Sequence, residues 1–147
     1  MESIKYKKAG RVMVFGVFDG LHNGHQFFLR QAKKYGDQLI AVVARDAAAR
    51  ELKNKTPHFD EKKRARTLRM SNLADRVVLG DRKQGTYRVL RRYQPDVICF
   101  GYDQDTLADD LRQRMRKGSL PKMRLIRLRP HNSDTFRSSL LRGRGRR

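Results

Sequence analysis

The sequence predicts an α/β fold: a Rossmann-like three-layer sandwich on a five-stranded parallel sheet. Three observations predict it. Short apolar runs alternate with longer amphipathic stretches in the order β-α-β-α-β-α-β-α-β. Most of the runs are apolar throughout rather than alternating, as in strands buried on both faces. A glycine-rich segment follows the first run and opens directly into a helical stretch, at the carboxyl edge where such sheets bind ligands.

The strands are expected at Val12–Phe15, Leu39–Val43, Val77–Leu79, Val97–Phe100 and Met123–Leu128. The last interleaves Arg124 and Arg127 with apolar residues and suits a sheet edge. Gly24–Tyr35 carries Phe27, Phe28, Ala32 and Tyr35 at helical spacing. Asp60–Leu73 opens with two acids, which complement a helix amino terminus. Thr86–Tyr93 precedes Pro95, and Thr106–Arg116 precedes Gly118, both stop signals. Right-handed crossovers then place helices on both faces of one sheet. One domain over residues 1–141 is expected, with a basic Gly/Arg-rich tail over 142–147 that lacks a core face.

The 147 residues carry a formal charge of +20, so the expected ligands are anions: nucleotides, phosphorylated metabolites or nucleic acid. Residues 111–147 hold 13 Lys and Arg against one acid, Asp134, which concentrates the charge towards the carboxyl end. No apolar run reaches the roughly 18 residues of a membrane span, and the first residues lack a signal-peptide core, so a cytoplasmic protein without membrane contact is expected. Cys99 is the only cysteine, set in an apolar run, and reads as a small buried hydrophobe. No Cys-rich zinc site is available, and no residue is assigned as a metal ligand.

Gly16-Val-Phe-Asp-Gly-Leu-His-Asn-Gly-His25 carries the chemistry. Its glycines fall at 16, 20 and 24, which matches neither a P-loop nor a dinucleotide fingerprint. It solves the same physical problem, because glycines let backbone approach a ligand and the helix start offers N–H groups to phosphate. His22 and His25 flank that anion site, where imidazole can donate to a phosphoryl oxygen gaining charge. A metal pair is the competing reading of two histidines three apart, and it would need further ligands from His58, His131, Cys99 or acids.

This segment resembles the signature of the cytidylyltransferase-like nucleotidyltransferases. The resemblance runs from about Arg11 to Leu141, with Gly36-Asp37, Val43–Asp46, Arg64, Asp75 and Gly101–Gln104 falling where the family has comparable residues. It implies that a phosphate oxygen of one substrate attacks the α-phosphorus of a nucleoside triphosphate and pyrophosphate leaves. It assigns His22, His25, Lys53 and Arg64 as catalytic, with Lys55 competing with Lys53 on the same loop. It assigns Gly16, Val17, Phe18, Asp19, Gly24, His25, Gly101, Asp103, Gln104, Arg137, Ser138 and Ser139 to the nucleotide. It implies Mg²⁺ carried mainly by the phosphates. Phe136-Arg-Ser-Ser139 matches the family's second signature in part: Arg137 replaces a hydroxyl residue and Leu140 a lysine. The bland readings are a core Phe18, solvated Lys53, Lys55 and Arg64, and a turn aspartate at 103.

Gly101-Tyr-Asp-Gln104 resembles stand-alone FAD synthases, and Trp is absent where glycerol-3-phosphate cytidylyltransferases carry it. The expected reaction is therefore adenylyl transfer from ATP to FMN, with CTP-dependent transfer to a polyol phosphate as the alternative. A basic RNA-binding protein on an inactive fold is the reading from another class, since the tail can contact RNA phosphates. The family also implies a possible homodimer.

Overall fold

In a computed structural model of the protein, residues 9–130 are described. The five strands are β1 (Ala9–Gly16), β2 (Gly36–Val43), β3 (Arg76–Leu79), β4 (Val97–Phe100) and β5 (Arg124–Arg127). The helices are α1 (Asn23–Lys33), α2 (Asp46–Lys53), α3 (Glu61–Ser71), α4 (Arg88–Tyr93) and α5 (Asp105–Lys117). The strands form one sheet in the order β3-β2-β1-β4-β5, and every pairing is parallel.

Successive strand residues face opposite sides, and both sides are apolar. Val12, Val14, Leu39, Ala41, Val43, Val97 and Cys99 pack under Leu29 and Ala32 of α1 and Ala65 and Leu68 of α3. Met13, Ile40, Val42, Ile98 and Phe100 pack against Val89 and Leu90 of α4 and Ala108 and Leu111 of α5. That double burial is why the runs read as continuously apolar. Edge strand β5 has the exposed Arg124 and Arg127 at its ends. Cys99 is fully buried, and burial pushes its thiol up to about 12, so it packs and does not react.

The expected five-stranded sandwich is the one observed, with one helix more than the sequence reading gave. Asp46-Ala-Ala-Ala-Arg-Glu-Leu-Lys53 forms α2. Lys53 is thus the last residue of a helix rather than part of a loop, and Lys55 follows it. The helix spans only eight residues, shorter than the window over which helical periodicity can be read, and buries only Ala49. Its three alanines were the available signal. Both α2 and α3 end on asparagine in the left-handed conformation, Asn54 and Asn72, a cap that asparagine tolerates.

Candidate active site

Strand β1 has β2 on one side and β4 on the other, so the crossovers diverge at its carboxyl end. Helices leave that edge towards opposite faces and leave a crevice. A cavity of about 800 Å³ opens there, with Gly16–Asp19, His22, Gly24, His25, Lys53, Lys55, Gly101, Asp103 and Gln104 in its wall.

The loop after β1 is held by interlocking contacts. A Cβ on Gly16 would lie 2.8 Å from the Phe18 ring, so the ring occupies the space a side chain would need. Phe18 is itself 4% exposed and belongs to the core, as well as lining the cavity. The Asp19 carboxylate accepts the backbone N–H groups of His58 and Phe59 at 2.6 and 2.9 Å. Burial would raise the Asp19 pKa, but those two bonds and the Arg64 charge outweigh it and hold the carboxyl below its usual range.

The two histidines build the start of α1 themselves. His22 is the N-cap, and its Nδ1 accepts the N–H groups of Gly24 and His25 at 3.0 and 3.3 Å. His25 Nδ1 accepts the N–H of His22 at 3.3 Å, closing a reciprocal capping box. The rings stack with centroids 3.7 Å apart. With Nδ1 accepting in both rings, the proton of each neutral imidazole sits on Nε2. Burial, then the nearby His22 and Lys53, pull the His25 pKa down to about 4 against the opposing Asp103 and Asp19, so His25 is neutral at pH 7. Lys53 lines the same cavity, and its charge helps to lower the His25 pKa.

Arg64 lies elsewhere than either sequence reading put it. It is neither solvated nor in the cavity wall; it is 1% exposed in α3. Its guanidinium donates to the carbonyls of Phe59, Val17 and Ala44 at 2.9, 2.9 and 2.8 Å and to Asp46 Oδ1 at 2.7 Å. These four bonds tie the ends of β1 and β2 to the starts of α2 and α3. Its position corrects the expectation of a substrate-facing catalytic arginine. Gln104 is likewise engaged by the protein: its Nε2 donates to the Phe15 carbonyl at 2.8 Å and its Oε1 accepts the Gly101 N–H at 2.9 Å. The side chain clasps β1 to β4 across the divergence point. Asp75 accepts from Lys33 Nζ and the Leu39 N–H at 2.6 and 2.7 Å and lies outside the cavity lining. Arg137, Ser138, Ser139 and the tail lie outside the described residues.

Arg45, from the Val43–Asp46 segment, donates to the Gly80 carbonyl at 2.9 Å in the cavity wall, and the wall also holds residues that sequence reasoning did not single out: Leu52, Lys83 and Tyr87, on the side towards β2 and β3. Nothing in their local sequence marks them, because the fold alone brings them to this edge. Among the described residues, no group of three or more His, Cys, Asp or Glu is arranged to hold a metal ion, and no helix is long and apolar enough to cross a membrane.

The pattern of the cytidylyltransferase-like family matches residues 13–143. A FAD synthase of Aciduliprofundum boonei is 40% identical over 84% of this chain and 81% of its own length. A FAD synthase of Thermoplasma acidophilum is 36% identical over 90% of this chain and 91% of its own. The crystal structure of a lipopolysaccharide core biosynthesis protein from Thermoplasma volcanium superposes with a TM-score of 0.75 at 36% identity, covering 84% of this chain and 98% of that one. With the glycine-rich loop, the paired histidines and the strand order already in place, these matches show that the chain belongs to the cytidylyltransferase-like family of nucleotidyltransferases.

Proposed function

We propose that the protein is an FMN adenylyltransferase, joining ATP and FMN to give FAD and pyrophosphate. The observation that carries this reading is the His22–His25 capping box at the mouth of the β1–β4 crevice, in a chain about 40% identical to FAD synthases. A phosphate oxygen of FMN attacks the α-phosphorus, the bond to the β-phosphate oxygen breaks, and pyrophosphate departs with that electron pair. The acceptor phosphate arrives ionised, so the attack needs no general base. His22 and His25 donate from Nε2 to oxygens that gain charge in the transition state. Lys53 supplies a mobile positive charge beside them. Gly16–Asp19, Gly24, Gly101 and Asp103 shape the nucleotide half of the cavity, and Arg64 and Gln104 hold its walls in place.

Mg²⁺ would supply charge neutralisation and orientation of the triphosphate. The cavity fits an ion whose ligands come chiefly from phosphate, because Asp19 and Asp81 already accept backbone N–H groups and Asp103 is the remaining acid of the wall. Arg137, Ser138 and Ser139 belong to this reading as phosphate contacts, with one domain over 1–141 and a tail at 142–147. The cytoplasm is the proposed location. Purified protein given Mg²⁺, ATP and FMN should release pyrophosphate and form FAD; release with CTP and a polyol phosphate instead would replace this assignment with the cytidylyl alternative. No release with any pair would overturn the enzyme reading.

A further inference from the structure

Two substrates must share one cavity, and its halves differ. The segments that follow β4 contribute Gly101, Tyr102, Asp103 and Leu107 to its wall; β2 and the segments that follow β2 and β3 contribute Val42, Ala48, Leu52 and Tyr87. Tyr87 is the unusual residue of the second set. It takes the left-handed conformation at φ 50°, a region that a bulky aromatic side chain rarely occupies. Backbone strain of this kind persists where surrounding contacts over-determine it, and it clusters at ligand clamps.

The contacts that hold Tyr87 are complete. Its hydroxyl donates to Asp110 Oδ2 at 2.6 Å, and Arg114 Nε bonds the same oxygen at 3.0 Å. The Arg114 guanidinium lies over the Tyr87 ring, 5.0 Å from its centroid. From the other side, the Asp81 carboxylate accepts the Thr86 hydroxyl and the N–H groups of Arg88 and Val89, pinning the loop that carries the ring. The ring is thus fixed in the cavity wall before any ligand arrives. On the same side, Leu52 is 62% exposed, one of three large hydrophobic side chains more than half exposed among the described residues. A small polar acceptor would use neither a locked aromatic ring nor an exposed leucine.

We propose that Tyr87 and Leu52 form the acceptor subsite, in which a phosphorylated compound with a fused planar aromatic ring system lies against the Tyr87 ring. This rests on the FMN adenylyltransferase reading and deepens it by naming what selects the acceptor. The subsite is preorganised, so the acceptor ring loses little by docking there. It also sets the direction of approach, because the ring lies on the β2–β3 side and its phosphate reaches towards His25.

The test uses the full chain with Mg²⁺, ATP and FMN. Steady-state kinetics give KM for each substrate, and quenching of FMN fluorescence reads its stacking directly. Tyr87→Ala should raise KM for FMN about tenfold or more and weaken the quenching, with KM for ATP within about twofold of wild type. Tyr87→Phe keeps the ring and should stay within about threefold of wild type for FMN. Leu52→Ala changes an exposed side chain, leaves the core alone, and should raise KM for FMN by about threefold or more; it decides the matter if Tyr87→Ala does not fold. Unchanged FMN affinity in Leu52→Ala together with a folded Tyr87→Ala, or an equal rise in KM for both substrates, would overturn the subsite while leaving the activity assigned. Wild-type protein that makes no FAD would overturn both.

Discussion

His25 Nδ1 holds the helix start, and the ring lines the cavity, where the proposed reaction uses Nε2. Protonation at Nδ1 destroys the capping bond. Between about pH 4 and 6.5 the unfolded chain binds a proton at this ring and the folded chain does not, so stability falls as pH falls through that window. A histidine NMR titration should place the His25 midpoint near 4; a midpoint near 6.5 would contradict the half-buried ring of the cavity wall. His25→Ala should lower kcat by about 10²–10³, the scale for one lost transition-state donor. His22 and His25 were legible in the sequence because their spacing and glycine setting are local. Arg64 was not, since Lys62-Lys-Arg-Ala-Arg66 looks like a solvated face and only the fold shows which arginine turns inward. Arg64→Met should cost on the order of 3 kcal/mol, through three carbonyls and a carboxylate left without their donor. Urea unfolding measures it; a drop in kcat at unchanged stability would restore the arginine to the reaction.

Elements with a continuous apolar run or a clear start or stop signal were readable, and their boundaries moved by a few residues. Val97–Phe100 is strand β4 as expected, whereas β1 begins at Ala9 rather than Val12 because its early residues pair with β2 despite weak hydrophobicity. The short, nearly coreless α2 escaped because tertiary position, not burial, holds it. The bridge between elements was also invisible: nothing near Gln104 announces that its amide reaches Phe15, 89 residues away. Gln104→Ala should destabilise the fold by about 1–2 kcal/mol, since two backbone groups lose their partner. It should also raise KM for ATP, because the crevice between β1 and β4 loses its clasp. A denaturation midpoint and a KM equal to wild type would show that water replaces the amide at no cost.

At the scale of the whole molecule, the charge of +20 exceeds what one triphosphate site calls for. Removing residues 143–147 takes away three arginines and no large apolar side chain. Nucleotidyl transfer should survive that truncation, while salt-sensitive, non-specific RNA binding should weaken, as read by filter binding across a salt series. Loss of activity would mean that the segment folds over the site. The parallel sheet has a consequence for how the molecule comes into being. No two neighbouring strands form a hairpin, and Val12 pairs with Val97, 85 positions further along the chain. Contacts so distant in sequence form slowly, because loop closure costs entropy before any burial repays it. The β1–β2–β3 half can assemble first, with its histidines already in place on α1. The crevice does not exist until β4 arrives, so ligand affinity comes late to the folding chain, and a nascent chain ending before Val97 is blind to its own substrate.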